Sequence, residues 1–403
     1  MAVAGAGAFG RNHLRVYREL ESAGPAARQG VALVAAIEPD PDRAAATAAQ
    51  YAIPVFATVD ALLAADLKID AASVAVPTVY HHAVASPLLD AGIDLLVEKP
   101  LAASLPEADD LIARAAKGSR ILQPGHLERF NPAVLAVQPR LRRPMFFEAH
   151  RLSVFTPRAL DVDVVLDLMI HDLDIVLTFA NSPVREVRAV GLPILSPKVD
   201  IANVRVELES GCVANFTASR VSTERVRKLR FFEPRQYVSI DYARRELLVI
   251  RIDDQAAPAA GPSPLAAAAA QFLATGKLDP AVVQQLLASG QVDPALLAQF
   301  AAAKGDPAQL ASLAAGLAQP AYDLAPSAAN LAPGLSFLKP PVAPGEPLRL
   351  EIESFLDSVR TRQEPRVTAR QGRDALALAL EIQSSMAAHA QRAGLADFFN
   401  PGA

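Results

Sequence analysis

The sequence predicts an α/β protein in which a parallel sheet of the dinucleotide-binding type is followed by a larger, mostly antiparallel domain. Up to about residue 122, short apolar runs alternate with amphipathic segments, a pattern typical of parallel strands joined by crossover helices. From about residue 145 to residue 252, short segments of alternating polarity are separated by turn residues. This second pattern predicts an antiparallel sheet with one buried face.

In the first half, strands are predicted from apolar and β-branched runs that are bounded by polar turns. These runs are Val31–Ile37, Ala72–Val76, Leu95–Val97 and Ile121–Leu122. Between them, helices are predicted at Asn12–Glu21 and His81–Ala91. Only Met1–Ala4 precede the first glycine of the sequence, so the opening strand is expected to be short.

In the second half, short segments that alternate apolar and polar residues predict further strands. These segments are Val184–Gly191, Ala202–Leu208, Cys212–Ser219, Lys228–Phe232 and Tyr237–Tyr242. One helix is predicted before them, at about Val165–Phe179. Two amphipathic helices are predicted near the end of the chain, at Leu348–Val359 and Gly372–Arg392.

Residues 255–345 differ from both halves, because they are rich in Ala, Pro, Gln and Leu and poor in charge. The segments Gly276–Pro280, Gly290–Pro294 and Gly305–Pro307 each place an Asp N-cap before a Pro at the first helical position, which predicts three short helices.

We expect the whole chain to consist of three parts. Residues 1–123 form a dinucleotide-binding domain, and 255–345 are an insertion. Residues 124–254 and 346–403 form a substrate and oligomerisation domain, whose last helices pack back onto the first domain.

Composition excludes several classes of protein. The 403 residues carry a formal net charge of −4, without the basic excess that a nucleic-acid partner requires. No run of about 18 strongly apolar residues is present, so a membrane-spanning helix is not expected. The single cysteine, Cys212, can form neither an intrachain disulfide nor a cysteine-based zinc site. We expect a cytoplasmic protein without a bound metal.

A glycine-rich turn follows the opening strand and precedes a helix. In Gly5-Ala-Gly7-Ala8-Phe9-Gly10, the glycines permit a tight turn, close approach of a pyrophosphate and close helix–strand packing. The next apolar run ends at Glu38, whose carboxylate suits the ribose hydroxyls of NAD. No cation adjoins Glu38 for a 2′-phosphate, which favours NAD over NADP, although Arg43 is close in sequence. The alternative is a helix-capping turn and a surface glutamate.

Two further groups of residues suit proton transfer. Lys99, in Glu98-Lys99-Pro100, follows an apolar run at the strand end where open α/β sheets bind ligands, as does the segment Pro77-Thr78-Val-Tyr-His81. The positive charge of a nearby nicotinamide would disfavour the ammonium form of such a lysine, which could then take part in proton transfer near neutral pH. Asp167 and His171 are spaced i, i+4 in a helical stretch, where the carboxylate could orient the imidazole as a general base. The alternatives are a surface lysine and a solvated or core histidine.

A polar cluster lies at the junction of the two halves, in Gly125-His126-Leu-Glu128-Arg129-Phe-Asn131-Pro132. A domain boundary is where a ligand in a cleft would be bound. Arg129 suits a carboxylate or phosphate, and Asn131 suits sugar hydroxyls or an amide. The alternative is a salt-bridged hinge loop.

In this order, the motifs resemble the Gfo/Idh/MocA oxidoreductases. The resemblance covers about 1–252 and 346–395, and it implies an N-terminal Rossmann domain and a C-terminal α/β domain with a large open, mostly antiparallel sheet. It also implies that this sheet forms a homodimer or homotetramer. The implied catalytic set is Lys99, Asp167 and His171. The implied cofactor site comprises Gly5, Gly7, Ala8, Phe9, Gly10, Glu38, Pro77, Thr78, His81 and Glu98.

The segments 125–133 and 161–172 are more closely similar to members of the family that oxidise the C3 hydroxyl of UDP-N-acetylglucosamine for lipid A synthesis. In that case a partner aminotransferase would aminate the 3-keto product. The residues expected to hold the nucleotide sugar are His126, Glu128, Arg129, Asn131 and Arg158. Another nucleotide sugar, a free sugar or inositol stays open as substrate, and so does a dinucleotide-binding sensor without turnover. Whether Lys99 or His171 accepts the proton is also open.

Overall fold

The computed structural model describes residues 1–22, 30–156, 162–252 and 335–395. Arg158 and the repeated segments between 276 and 307 lie outside the described residues. The chain divides into two compact units, one formed by Met1–Leu248 with Pro340–Ala403 and the other by Val249–Lys339. The domain boundaries expected from the sequence stay a prediction.

The N-terminal part of the first unit contains a six-stranded parallel sheet of order β3-β2-β1-β4-β5-β6. Its strands are β1 (Ala2–Ala4), β2 (Ala35–Ile37), β3 (Val55–Phe56), β4 (Ala71–Val74), β5 (Asp94–Glu98) and β6 (Leu122–Gly125). The three residues of β1 are buried between β2 and β4, so the opening strand is both short and central. This order is the doubly wound arrangement, and its reversal beside β1 creates a crevice at the carboxyl edge of the sheet.

Helices connect these strands on both faces. They are α1 (Gly10–Ser22), α2 (Pro41–Tyr51), α3 (Val59–Ala64), α4 (His81–Asp90) and α5 (Leu105–Gly118). Local sequence sets where they start: the Asp40 side chain caps α2 and the Thr58 side chain caps α3, each accepting a backbone N–H three residues on. The helices predicted at 12–21 and 81–91 correspond to α1 and α4, with small changes of boundary.

The second sheet of the first unit has the order β13-β12-β11-β7-β10-β9-β8. Its strands are β7 (Phe146–Leu152), β8 (Val184–Leu192), β9 (Ile201–Leu208), β10 (Val213–Ser219), β11 (Val226–Glu233), β12 (Gln236–Asp241) and β13 (Glu246–Ile252). Within this sheet, β7 pairs with β10 in parallel and with β11 antiparallel, and the pairs β8–β9, β9–β10 and β11–β12 are antiparallel. Alternate residues of the central strands β7, β9, β10 and β11 are buried, among them Phe147, Phe216 and Phe231. The predicted fold class is confirmed.

Four further helices complete the described part of the first unit. They are α6 (Pro132–Val137), α7 (Ile170–Ala180, preceded by a π-helical turn at Val165–Met169), α8 (Pro347–Thr361) and α9 (Ala369–Arg392). Helix α9 packs against β8, α7 and α5. Helix α8 buries Ile352 and Phe355 in the same apolar cluster as Leu14 and Tyr17 of α1. Helix α8 thus packs against α1, the helix that follows the first strand of the parallel sheet.

In the second unit, the described residues form one antiparallel pair between Val249–Ile252 of β13 and β14 (Leu335–Leu338). Across the described ranges of the chain, no helix is long and apolar enough to span a membrane.

Candidate active site

The glycine-rich turn lies between β1 and α1 at the carboxyl edge of the parallel sheet. Gly5 has φ +92° and donates its N–H to Ile37 O at 2.8 Å. A Cβ on Gly10 would lie 1.9 Å from Gly5 O, so only glycine fits where α1 begins against this turn. A Cβ on Gly7 would meet nothing within 4 Å, so this part of the loop is open to an approaching ligand. The loop geometry therefore fits a pyrophosphate in front of the N-terminus of α1.

Glu38 lies directly after β2, but its carboxylate is already used within the protein. Oε2 accepts the Ala6 N–H at 2.8 Å, and Oε1 accepts hydrogen bonds from the Arg43 guanidinium and the Asp40 N–H. Burial opposes ionisation, yet these hydrogen bonds leave the pKa of Glu38 lowered. The Arg43 guanidinium is 3.0 Å away, so a cation does adjoin Glu38 in space, although none does in the immediate sequence.

Pro77 and Thr78 lie in the turn after β4, and Thr78 begins a short 3-10 turn. His81, at the start of α4, is buried, with Nε2 2.9 Å from Val76 O and Nδ1 2.9 Å from Pro100 O. Burial lowers the pKa of this histidine. Its ring joins the ends of β4 and β5, and in its neutral form it donates to one of these two carbonyl oxygens at a time. Its place in the cofactor site stays a prediction.

Glu98 also points inward. Its Oε1 is 2.9 Å from His13 Nε2, whose Nδ1 lies 3.1 Å from Ser73 Oγ. A Cβ on Gly125 would come within 2.9 Å of the Glu98 carboxylate. Glu98 is thus part of a buried network that joins β4, β5, β6 and α1, and its place in the cofactor site stays a prediction.

Lys99 lies beside the π-helical turn that precedes α7. Its side chain is 18% exposed, and Nζ donates to Asp167 O at 2.7 Å and to Leu166 O at 3.4 Å. The Asp167 carboxylate is 3.9 Å from Nζ. Burial lowers the pKa of Lys99, the charges of Asp167 and Glu98 oppose this shift, and Arg151 adds to it. The structure thus brings Lys99 and Asp167 together.

The expected pairing of Asp167 with His171 is wrong in this structure. His171 Nδ1 is buried and has no hydrogen-bond partner among the described residues. The turn from 165 to 169 is π-helical, so the α-helical spacing behind the prediction does not apply, and Asp167 faces Lys99 instead. The pKa of His171 is well below its usual range because of burial and of the charges on Lys99 and Arg151. His171 is therefore a neutral imidazole near the lysine.

The expected substrate ligands Glu128, Arg129 and Asn131 are buried and paired within the protein, and their role as ligands stays a prediction. Arg129 contacts the Asp174 carboxylate at 3.3 Å, the Thr178 hydroxyl and Arg366 O. Asn131 caps α6 and donates to Glu128 Oε2 and Tyr242 O. These contacts agree with the alternative of a salt-bridged loop at the junction of the two halves.

His126 is also buried, and neither ring nitrogen has a hydrogen-bond partner in the described part of the chain. Its Nδ1 is 3.9 Å from Asp174 Oδ2. Burial is the main cause that lowers the pKa of His126, so its ring is neutral at neutral pH. His126 lies behind the candidate site instead of on its surface.

Sequence reasoning missed Arg151 on β7. This fully buried guanidinium forms two hydrogen bonds to Asp172 at 2.7 and 3.0 Å and one to Glu128 at 3.1 Å. It also lies over the Tyr242 ring, 5.1 Å from its centroid. A signal was present in the sequence, because Phe147, Ala149 and Arg151 alternate along β7 and point to the same, buried face of the sheet. A charged residue on a buried face indicates a buried ion pair.

The described residues contain no group of three or more His, Cys, Asp or Glu side chains that could hold a metal ion.

The fold and the site together define the class of protein as a dinucleotide-dependent oxidoreductase. The features that define it are a doubly wound sheet, an open glycine loop before α1 and a lysine of lowered pKa after β5.

Comparison with known proteins identifies the particular family. Residues 1–126 match the model of the Gfo/Idh/MocA oxidoreductase family with an NAD-binding Rossmann fold, and residues 133–235 match the C-terminal domain of the same family. The chain belongs to this family. The resemblance inferred from the motifs is thereby confirmed, as is the prediction that the chain is an enzyme of the sugar dehydrogenase type.

Three relatives illustrate the similarity. UDP-N-acetylglucosamine 3-dehydrogenase of Acidithiobacillus ferrooxidans is 38% identical over 246 residues, which are 61% of this chain and 74% of the relative. Inositol 2-dehydrogenase 1 of Saccharopolyspora erythraea is 30% identical over 196 residues, 46% of this chain and 55% of the relative. The solved structure of UDP-N-acetylglucosamine 3-dehydrogenase GnnA from A. ferrooxidans superposes with a TM-score of 0.71 at 28% identity, covering 96% of this chain and 97% of that one.

Proposed function

We propose that this enzyme uses NAD to oxidise a hydroxyl of a nucleotide sugar, with the C3 hydroxyl of UDP-N-acetylglucosamine as its substrate. The observation that carries the proposal is the environment of Lys99, a mostly buried amine of lowered pKa whose Nζ is held 2.7 Å from Asp167 O. A lowered pKa increases the fraction of neutral amine, the form of a lysine that can accept a proton. The similarity to UDP-N-acetylglucosamine 3-dehydrogenase supports the choice of sugar.

In the proposed reaction, neutral Lys99 removes the proton of the sugar hydroxyl. The ammonium that results is stabilised by the carbonyl oxygens of Leu166 and Asp167 and by the Asp167 carboxylate. When bound, NAD supplies the acceptor for the hydride that leaves the same carbon. Lys99 is a better proton acceptor than His171, because the low pKa of His171 means that its ring holds a proton poorly.

The residues proposed to hold the dinucleotide are those of the glycine-rich turn, with Glu38 at the end of β2. Gly7 leaves space for the pyrophosphate, and the exposed Ala8 and Phe9 flank it. NAD is favoured over NADP because the Glu38 carboxylate would repel a 2′-phosphate and already neutralises Arg43. Pro77 and Thr78 are proposed to lie on the nicotinamide side, and His81 and Glu98 to support the site from behind.

The first test is NADH formation, followed at 340 nm with NAD and UDP-N-acetylglucosamine. Lys99→Ala is expected to lower kcat by about 10²–10⁴-fold, the usual contribution of a general base, while NADH still binds. Lys117→Ala, on an exposed lysine at the end of α5, is the matched control and should leave kcat unchanged. Full activity of Lys99→Ala would refute the proposed role of Lys99.

Two alternatives have distinct outcomes in the same assay. The 30% identity to an inositol 2-dehydrogenase supports inositol or another sugar as substrate, so a panel of inositol, free sugars and other UDP-sugars belongs in the assay. NADH binding without reduction of NAD by any member of that panel would favour the non-catalytic sensor.

The remaining expectations concern partners and location. We propose a homodimer or homotetramer formed through the second sheet, and a pathway aminotransferase as the enzyme that consumes the 3-keto product. The single cysteine supports a cytoplasmic location as the expected site of action.

A further inference from the structure

The ammonium group of Lys99 is held mainly by backbone oxygens, not by a carboxylate. Nζ donates to Asp167 O at 2.7 Å and Leu166 O at 3.4 Å, whereas the Asp167 carboxylate is 3.9 Å away. Carbonyl oxygens inside an α-helix normally accept the N–H four residues later. The position of the lysine therefore depends on how this turn is wound.

The π-helical winding changes which N–H groups these carbonyls meet. The Ile170 N–H donates to Val165 O, five residues back, so the Leu166 carbonyl lacks its α-helical donor. Such π-turns are rare, and they occur frequently at functional sites. Here the turn directs two carbonyl oxygens towards Lys99 on the neighbouring strand end.

One side chain holds the start of this turn. Asp163 Oδ1 accepts the N–H groups of Val165 at 2.8 Å and Leu166 at 3.1 Å, and Asp163 O accepts the Asp167 N–H at 3.0 Å. The other carboxylate oxygen accepts a hydrogen bond from the Gln383 side-chain amide on α9. Asp163 thus caps the turn and attaches it to a long helix, α9.

We propose that Asp163, held by Gln383, is a positioning residue that keeps the π-helical turn wound so that its carbonyl oxygens hold Lys99. The inference rests on the proposed function, in which Lys99 accepts the substrate proton. It deepens that function, because the same carbonyl oxygens stabilise the ammonium that forms. Asp163 itself does not touch Lys99; it acts through the Leu166 and Asp167 carbonyls.

The charged and titratable groups that face Lys99 come from every surrounding element. They are Asp167 on the turn, Glu98 on β5, Arg151 on β7, His171 on α7 and His126 after β6. None of these five residues is replaced in an Asp163 variant, although Asp167 lies on the turn itself. Asp163→Ala and Asp163→Asn both remove the Asp163 charge, so a change in the titration of Lys99 that occurs only in Asp163→Ala reports a change in the turn and its carbonyl acceptors.

The test compares Asp163→Ala with Asp163→Asn in the full chain. Asp163→Ala is expected to lower kcat at least tenfold with little change in KM for NAD. The acid limb of its pH–rate profile should move to lower pH, because the ammonium loses two acceptors. Asp163→Asn retains a carbonyl oxygen for both N–H groups and should recover most of kcat and the wild-type profile. Thr58→Ala removes the N-cap of α3 and is the structural control, with an unmoved profile.

A second measurement does not depend on turnover. The rate of Lys99 acetylation by acetic anhydride, followed across pH by mass spectrometry, reports the titration of Lys99 directly. This titration should shift to lower pH in Asp163→Ala and not in Asp163→Asn. It tests the inference even if the sugar substrate or the role of Lys99 in turnover is wrong, which the Lys99→Ala assay decides separately. An unmoved Lys99 titration in Asp163→Ala, even with a lower melting temperature, would overturn the inference.

Discussion

Glu351 on α8 is a carboxyl group buried without compensation. Neither of its oxygens has a hydrogen-bond partner among the described residues, and its exposed fraction is 0%. Burial raises its pKa well above the usual range, and the negative charges of Glu98 and Asp174 add to this. The folded protein therefore holds this proton to a higher pH than the unfolded chain, which ionises the group above about pH 4.3.

We predict that Glu351→Gln stabilises the protein increasingly as the pH rises from 6 to 8. Wherever the folded wild type still holds a proton that the unfolded chain has released, each pH unit costs the wild type about 1.4 kcal/mol of unfolding free energy. Glutamine removes that dependence. The free energy of unfolding in urea at pH 6, 7 and 8 measures it. Glu364→Gln, on an exposed loop, is the control. Parallel pH curves for Glu351→Gln and wild type would contradict the prediction.

At the scale of an element, the loop between β1 and α1 separates the roles of two glycines. A Cβ on Gly10 would lie 1.9 Å from the backbone oxygen of Gly5, and no side-chain rotation can relieve that contact. A Cβ on Gly7 would meet no atom within 4 Å. Gly10 is therefore required by the fold. Gly7 is not, and its open surroundings agree with the proposal that a ligand approaches the loop there.

We predict opposite results for the two alanine variants. Gly10→Ala should lower the free energy of unfolding by about 1–3 kcal/mol or prevent folding, as expected for overpacking. Gly7→Ala should melt like the wild type but bind NADH about tenfold more weakly, a loss of about 1.4 kcal/mol. Thermal unfolding and fluorescence titration with NADH measure both effects. Wild-type NADH affinity in a folded Gly7→Ala would place the pyrophosphate elsewhere.

At the scale of the whole molecule, buried histidines make stability depend on pH. His126 and His171 have pKa values lowered mainly by burial, so each binds a proton more weakly in the folded chain than in the unfolded chain. Glu351 acts in the opposite direction, because its raised pKa makes it release a proton on unfolding.

The free energy of unfolding should therefore fall as the pH is lowered through the range in which an unfolded histidine takes up its proton, below about pH 6.5. Urea unfolding at pH 6.0, 5.5 and 5.0 measures this slope. His126→Gln should make the slope less steep, by at most about 1.4 kcal/mol per pH unit, the effect of one proton. Equal slopes for His126→Gln and the wild type would contradict this role of His126.

The sequence by itself determined the fold class, most strands and helices, and the glycine-rich turn. These features depend on neighbouring residues: alternation with a period of two for strands, apolar spacing for helices, and glycine where the backbone turns tightly. Even the brevity of β1 could be predicted, because Gly5 follows Ala4 directly. Boundaries shifted where sheet pairing decided them; β2, for example, is limited to Ala35–Ile37.

Only the tertiary structure decided which polar groups meet. Asp167 pairs with Lys99, 68 residues away, instead of with the nearby His171. Arg129 is bound by Asp174 and by the carbonyl of Arg366, and Glu98 by His13. A hydrogen bond between distant segments leaves no periodic trace in the sequence. Whether a charged side chain faces a ligand or a buried partner is therefore set by the packing of the two sheets and by burial, not by residue type.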